Sequence, residues 1–392
     1  MKILIVNKFL HPHGGSETYI FKLGEQLKSL GHEVQYFGME HPKRCVSNNA
    51  DQYTSYMDFH GGNKLKKITY PIKTIYSAEA RRKISIVLED FKPDVIHINN
   101  FNYQLTPSIL YAAVNYRKKA NKKVKIIFTA HDYQLICPNH MLFDMHGRIC
   151  EKCIGGNFIN CTRNSCIHGS KAKSLIGTAE ATLYNALNIY NCFDKIICCS
   201  EFLKSKIDTN PLLSGKTIVM HNFTDRVEKI KVKKEDYILY FGRYSKEKGI
   251  ETILQSKNTR FVCAGAGDYE EQINNSGNIK NLGFKSGKEL ENLIRKAKCS
   301  VYPSIWYENC PFSVIESIMY GTPVVGANIG GIPELIDDGK TGFLFEAGNV
   351  EDFENAISKA IEKSDELSNN CFEKTFTTVS EYAQRLLDIY NY

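Results

Sequence analysis

Two kinds of pattern share this chain. Short runs that are apolar almost throughout fall at 2–6, 33–37, 94–98, 124–128 and 195–199. A second series falls at 237–241, 260–264, 299–302 and 323–325. A strand that is apolar on both faces is covered on both faces, which is the condition of a parallel sheet. Between these runs, apolar residues recur every three or four positions. The clearest case is 16–30, where Ile20, Leu23, Leu27 and Leu30 share a helical face. Ser16 stands at the N-cap position there, and Gly31 ends the pattern as a C-cap glycine. Strand and helix signals alternate from end to end, so the pattern predicts a doubly wound α/β architecture.

Two series of strands predict two domains. The first is expected at 1–225 and the second at 237–374. The stretch 226–236 is charged and poor in core residues, so it reads as the linker. Residues 375–392 read as a closing amphipathic helix with Tyr382, Leu386, Leu387 and Ile389 on its apolar face.

A length of 392 residues accommodates this organisation. With 43% hydrophobic and 24% charged residues, the chain is not mainly disordered, collagen-like or coiled-coil. No apolar run approaches the roughly 20 residues of a membrane span. The first apolar stretch lacks a small-residue cleavage site, so no signal peptide and a cytoplasmic location are expected. The formal net charge is +7. Much of the excess lies in 61–83 and in 115–125, where Arg117, Lys118, Lys119, Lys122, Lys123 and Lys125 stand without an acid. Such runs are either solvated surface or a face drawn to an anionic partner, either a membrane leaflet or a polyanion; the leaflet is the expected one.

Thirteen cysteines fit a reducing compartment. Five fall together, Cys137, Cys150, Cys153, Cys161 and Cys166. Cys150 and Cys153 have the spacing of a metal half-site, and a tetrahedral zinc site needs a second pair. Cys137 with Cys166, or Cys161 with Cys166, supplies it. The first choice gives a structural zinc on Cys137, Cys150, Cys153 and Cys166. A loop of reduced thiols is the other reading.

Candidate chemistry gathers at strand ends. The first strand leads into Gly14-Gly15-Ser16-Glu17 at a helix start, where backbone amides can approach an anion. The 237–241 strand leads into Gly242-Arg243 and Lys248-Gly249, which set two fixed cations on a strand-to-helix turn. The next strand ends at Ala264-Gly265-Ala266-Gly267. Farther on, Glu308 and Glu316 flank Pro311, which suits the first turn of a helix capped by Asn309 or Cys310. Gly330-Gly331-Ile332-Pro333-Glu334 follows as another glycine turn. Neither series carries G-x-G-x-x-G, which argues against a nicotinamide-dependent oxidoreductase.

Taken in order, five of these pieces resemble the retaining glycosyltransferases of family 4. They are Gly14–Glu17, Thr129-Ala130-His131-Asp132, Gly242-Arg243 with Lys248-Gly249, the Glu308/Glu316 pair, and Gly330–Glu334. The resemblance spans most of the chain. It implies the GT-B fold: two Rossmann-like domains facing each other across a cleft, with the last helix returning to the N-terminal, acceptor-side domain. It also implies a donor site for a nucleotide sugar in the C-terminal domain. Gly14 and Gly15 would bring amides to the donor diphosphate, and Gly242, Arg243 and Lys248 would hold it as it leaves. Gly265 belongs to the same cradle. Glu316 would bond the ribose hydroxyls and Glu308 a hydroxyl of the donor sugar. His131 would sit over that sugar, and Phe284 near the nucleobase.

Many family members have glycines between the two glutamates, where this chain has Asn309, Cys310 and Pro311. Pro311 donates no amide, so Phe312 and Ser313 become the expected amide donors. The Cys-rich insertion, 137–168, would overhang the acceptor side. The implied reaction moves a hexose or N-acetylhexosamine from a UDP- or GDP-sugar to a glycan or lipid-linked acceptor. It needs no catalytic metal, and it suits a peripheral enzyme of polysaccharide or glycoconjugate synthesis. Two rival readings are a nucleotide-sugar epimerase of the same architecture and a zinc-bearing nucleic-acid-binding protein. The second lacks the aromatic–basic interleaving of a stacking surface, and no nucleic-acid partner is expected.

Overall fold

The structure is a computed structural model that describes residues 1–57, 70–257 and 259–391. The chain forms two compact units. One comprises Met1–Met145, Cys150–His221 and Val379–Tyr392, and the other His146–Ile149 and Asn222–Thr378.

The sheet of the first unit is parallel throughout. Its strands are β1 (Lys2–Val6), β2 (Glu33–Phe37), β3 (Val95–Ile98), β4 (Lys125–Ala130), β5 (Lys195–Cys198) and β6 (Thr217–Val219), ordered β2-β1-β3-β4-β5-β6. Ile3, Leu4, Ile5 and Val6 are fully buried, as a centrally placed parallel strand demands.

The first helix, Gly15–Ser29, starts one residue earlier than its pattern predicts. Gly14, not Ser16, is the N-cap, and the Ser16 hydroxyl instead donates to Glu17 Oε1 at 2.9 Å. At the other end Gly31 takes φ +85°. The amides of Gly31 and His32 close back on Lys28 and Leu27, a Schellman termination.

The last helix, Val379–Asn391, packs against the first one. It buries Tyr382, Ala383, Leu386, Leu387 and Tyr390, while Ile389 stays half-buried.

The second unit repeats the plan. Its strands are β7 (Glu235–Phe241), β8 (Phe261–Ala264), β9 (Ile279–Asn281), β10 (Ala297–Tyr302), β11 (Val324–Ala327) and β12 (Gly342–Phe345). They are ordered β12-β11-β10-β7-β8-β9, again all parallel. The stretch 226–236 is tied to this unit. The Arg295 guanidinium donates to the Glu228 carbonyl at 3.0 Å. The Lys234 ammonium donates to the carbonyls of Arg295 and Gly321 at 2.9 and 2.8 Å. Burial pushes the Lys234 pKa down to about 8.

Three observed strands, β6, β9 and β12, lie outside the predicted runs. Each is a sheet edge of three or four residues with exposed or half-exposed positions, so covering on both faces does not apply to it.

Candidate active site

In each sheet the strand order reverses once, beside the first strand of the series. Loops on the two sides of that point diverge and leave a crevice at the carboxyl ends of the strands, the usual ligand position in open α/β sheets. In the second unit the point lies between β7 and β10. The loop after β7 carries Gly242, Arg243 and Lys248; the loop after β10 carries Glu308.

These two loops are joined by an ion pair. The Lys248 ammonium lies 2.5 Å from Glu308 Oε1, with side-chain exposures of only 19% and 7%. The same oxygen accepts from Ser304 Oγ at 2.7 Å and Trp306 Nε1 at 2.6 Å. Lys248 also donates to the Tyr302 hydroxyl at 3.3 Å and lies over the Trp306 ring. Burial works to lower the Lys248 pKa, but Glu308 and Tyr302 outweigh it and hold the ammonium above its ordinary value. Glu308 is therefore a buried anchor for a buried cation.

Close backbone approach sets the loops. Gly249 has φ +73°, and a Cβ there would meet the Pro303 carbonyl oxygen at 1.7 Å. Only glycine lets the loop after β7 reach the loop after β10. Gly265 likewise packs on the Gly242 carbonyl, 1.9 Å from where its Cβ would stand. The Gly331 amide donates to the Glu308 carbonyl at 2.6 Å, so the glycine turn after β11 braces the same residue.

Arg243 differs from Lys248. Its side chain is 63% exposed, bonded to Glu247 Oε1 at 2.9 Å. On this turn Lys248 is buried while Arg243 and Lys246 face solvent.

The helix after Glu308 runs Phe312–Met319. Pro311 is its N-cap rather than its first helical residue, with extended ψ 123°, so the helix starts one residue later than expected. Phe312 and Ser313 open it, and the Ser313 hydroxyl bonds Tyr302. Glu316 stands on the next turn, half-buried. Phe284, after β9, is 77% exposed.

In the first unit the reversal lies between β1 and β3, and polar side chains fill it. Asn7 Nδ2 donates to Glu17 Oε1 at 2.8 Å, Asn100 Nδ2 to Ser16 Oγ at 3.2 Å, and the Asn100 amide to Asn7 Oδ1 at 3.1 Å. Gly14 and Gly15 are exposed at this edge. His131, at the end of β4, bonds Asn99 Oδ1 through Nε2 at 2.9 Å, and its ring meets Tyr19 edge-on at 4.9 Å. Burial pushes its pKa down to about 3, so it is neutral at physiological pH.

Beside it, burial raises Asp132 to about 6, against the pull of Lys8. Lys8 donates to Asn102 Oδ1 at 2.7 Å, and Asn102 Nδ2 donates to His140 Nδ1 at 2.6 Å. Sequence reasoning named His131 but missed these partners. The signal was present: Asn99-Asn100-Phe101-Asn102 follows an apolar strand directly.

The candidate zinc cysteines lie near one another: burial, and then the neighbouring Cys137, Cys166 and Cys150, push the Cys153 thiol up. Among the described residues, no three or more His, Cys, Asp or Glu side chains are grouped to hold a metal ion. Cys137 Sγ turns to Asn139 Oδ1 at 2.8 Å, and Cys166 pairs with Cys161 by a thiol hydrogen bond. Cys153 and Cys161 instead pack with Phe158 and Ile167 in a small apolar cluster. Of the basic run 61–83, residues 61–69 lie outside the described residues.

The model of "Glycosyltransferase Family 4" matches residues 13–227, and that of "Glycosyl transferases group 1" matches residues 222–377. An uncharacterized 42.6 kDa protein in the cps region of Klebsiella pneumoniae is 26% identical over 360 residues, covering 86% of this chain and 87% of that protein. The alpha-1,3/1,6-mannosyltransferase ALG2 of Dictyostelium discoideum is 24% identical, covering 90% of this chain and 88% of its own. Among solved structures, Anabaena HepE in complex with UDP superposes with a TM-score of 0.68 at 16% identity over the whole of both chains. Its complex with UDP-glucose gives 0.66, covering 99% of this chain and all of that one. Two parallel six-stranded α/β sheets with such neighbours make this the GT-B fold.

Proposed function

The chain belongs to glycosyltransferase family 4, and from that premise we propose that it is a retaining hexosyltransferase using a nucleoside-diphosphate sugar. The observation that carries the reading is the Lys248–Glu308 pair at the reversal point of the second sheet, with Arg243 on the same turn. Cleaving a sugar–phosphate bond builds negative charge on the departing diphosphate. Fixed cations there lower the barrier without donating a proton. Glu308 keeps Lys248 charged and aimed; Arg243 grips phosphate oxygens in a fork.

Glu316 is positioned for the ribose, and the amides of Phe312 and Ser313 for the donor at the helix N-terminus. The acceptor hydroxyl attacks from the face the diphosphate leaves, and the phosphate takes its proton. No side-chain nucleophile is invoked. Glu308 and Glu316 are not an acid/base pair of the glycosidase kind.

UDP-glucose is the first donor to try, because Anabaena HepE, a neighbour in fold, was solved with it. The acceptor is a glycan or lipid-linked oligosaccharide, met by the first unit at the cytoplasmic leaflet. Incubating the protein with UDP-sugars and GDP-sugars, with and without a lipid-linked glycan extract, tests this. Nucleoside diphosphate release that rises at least several-fold with acceptor, with an α-linked product from an α-linked donor, supports the reading. Isomerised donor, or an inverted product, refutes it.

A further inference from the structure

The helix Lys171–Ala186, on the first unit, turns an unusual face outward. Leu175, Leu183 and Leu187, the last its C-cap, are 55%, 43% and 55% exposed. Ala172, Ala179 and Ala186 are exposed between and beside them. Spacings of three and four put these residues on one stripe along the helix. Its charged residues are Lys171, Lys173 and Glu180, and Glu180 is half-buried, with burial pushing its carboxyl up to about 8. Beyond its first turn, therefore, the outward face carries no charge. An apolar stripe of this kind, interrupted only by exposed Thr182, marks an interaction surface.

Cations frame the stripe at both ends. Lys171 and Lys173 are exposed at its start. The helix Tyr70–Ile75 packs alongside, with the Tyr184 hydroxyl donating to the Ile75 carbonyl at 2.6 Å, and it offers exposed Lys73. Past Leu187, the Arg117 guanidinium donates to the Cys192 carbonyl at 3.1 Å and pairs with Asp194. Exposed Lys118 and Lys119 follow Arg117 at the end of the same helix. Lys216 donates to the Asn191 carbonyl beside them.

We propose that this face docks on an anionic lipid bilayer. The leucines enter the boundary between headgroups and acyl chains, and the lysines at both ends meet lipid phosphates. Charge complementarity selects this occupant: an apolar stripe ringed by lysine suits the interfacial plane of a negatively charged leaflet. Among the described residues no helix is long and apolar enough to cross a membrane, so attachment through this face is by surface docking. The inference deepens the proposed lipid-side acceptor reading, but its test measures vesicle binding alone, so either can fail without the other.

The test is co-sedimentation of the full chain with phosphatidylcholine vesicles, with and without about one-third phosphatidylglycerol. Wild type is expected to partition onto the anionic vesicles only, and less as salt rises. Leu175→Glu with Leu183→Glu is expected to lower partitioning at least about tenfold, and Lys171→Gln with Lys173→Gln by roughly tenfold. Circular dichroism and a cooperative thermal melt verify that both variants fold. Equal binding to neutral and anionic vesicles, or unchanged binding by the leucine variant, overturns the proposal. So does light scattering that shows a wild-type dimer which the leucine variant splits, because the face then belongs to a second copy.

Discussion

The hydroxyls of Tyr19 and Tyr382 lie 2.9 Å apart although 363 positions separate them. Both side chains are buried in the first unit. Tyr19 reaches on to Thr129 at 3.3 Å, Thr129 to His97 at 2.7 Å, and His97 to Tyr390 at 2.6 Å. The last helix thus holds both ends of a buried relay that runs beneath His131. Burial pushes His97 down to about 3, so at neutral pH it has one N–H to place, and the relay has one direction at a time. Removing the Tyr382 hydroxyl leaves a buried donor or acceptor short of a partner. Tyr382→Phe is expected to cost about 1–2 kcal/mol in urea unfolding. The double variant with Tyr19→Phe is expected to cost less than the sum, because the two share one bond.

Acid should destabilise the protein well before its ordinary carboxylates titrate. Burial holds His97, His131 and His140 at about 3 and His11 at about 4, all below the ordinary histidine value. Unfolding frees them to take up protons, so the stability they add is full above about pH 6.5 and is lost as pH falls toward 4. Asp132, raised to about 6, and Glu180, raised to about 8, act the other way, since each holds a proton longer in the folded state. Four histidines outweigh two carboxyls near pH 5. Calorimetry is expected to show the melting temperature falling from pH 7 to pH 5, with net proton uptake on unfolding. A melting temperature that rises over that interval contradicts this balance.

Lys248 and Arg243 predict opposite costs. Lys248→Met strips a buried carboxylate of its counter-charge and is expected to cost about 3 kcal/mol or more in stability. Arg243→Ala touches an exposed side chain, so its stability change stays within about 0.5 kcal/mol. Its turnover falls all the same, by roughly a hundredfold or more, if the leaving diphosphate needs that charge. Denaturation and nucleotide-release assays on the same preparations separate the two effects.

Gly249→Ala tests the approach of the two loops. The added methyl meets the Pro303 carbonyl in a left-handed backbone conformation. A loss of about 2 kcal/mol or more is expected. Donor affinity should fall further than stability explains, because Lys248 is the adjacent residue. Gly339→Ala, at φ +73° with nothing within 4 Å of the new Cβ, is the control for backbone strain alone.

What the sequence disclosed follows from burial. Central strands such as β1 and β4 are covered on both faces and so appear as apolar runs, whereas β6 and β9 are short edges with mixed residues and β12 is an apolar edge of only four. The glycine turns were legible because a close approach leaves one residue type possible, as at Gly249 and Gly265. The bond between Lys248 and Glu308 was not, because 60 residues separate them and only the reversal of strand order unites their loops. The relay through Tyr19, His97 and Thr129 was hidden for the same reason: each residue alone reads as ordinary core. The cysteines were legible only in part, because Cys150-x-x-Cys153 fixes a half-site and leaves its partners open.

The second unit is expected to bind a nucleoside diphosphate through its glycine-turn cations and Glu316. The most direct test is the melting temperature of wild type, Arg243→Ala and Glu316→Ala with UDP, GDP and ADP in turn. A ligand that binds only the folded state raises melting once it exceeds its dissociation constant. The account predicts a rise of a few degrees with one nucleotide for wild type, and loss of that rise in both variants. A folded wild type that responds to none of the three, or variants that respond as wild type does, would contradict it.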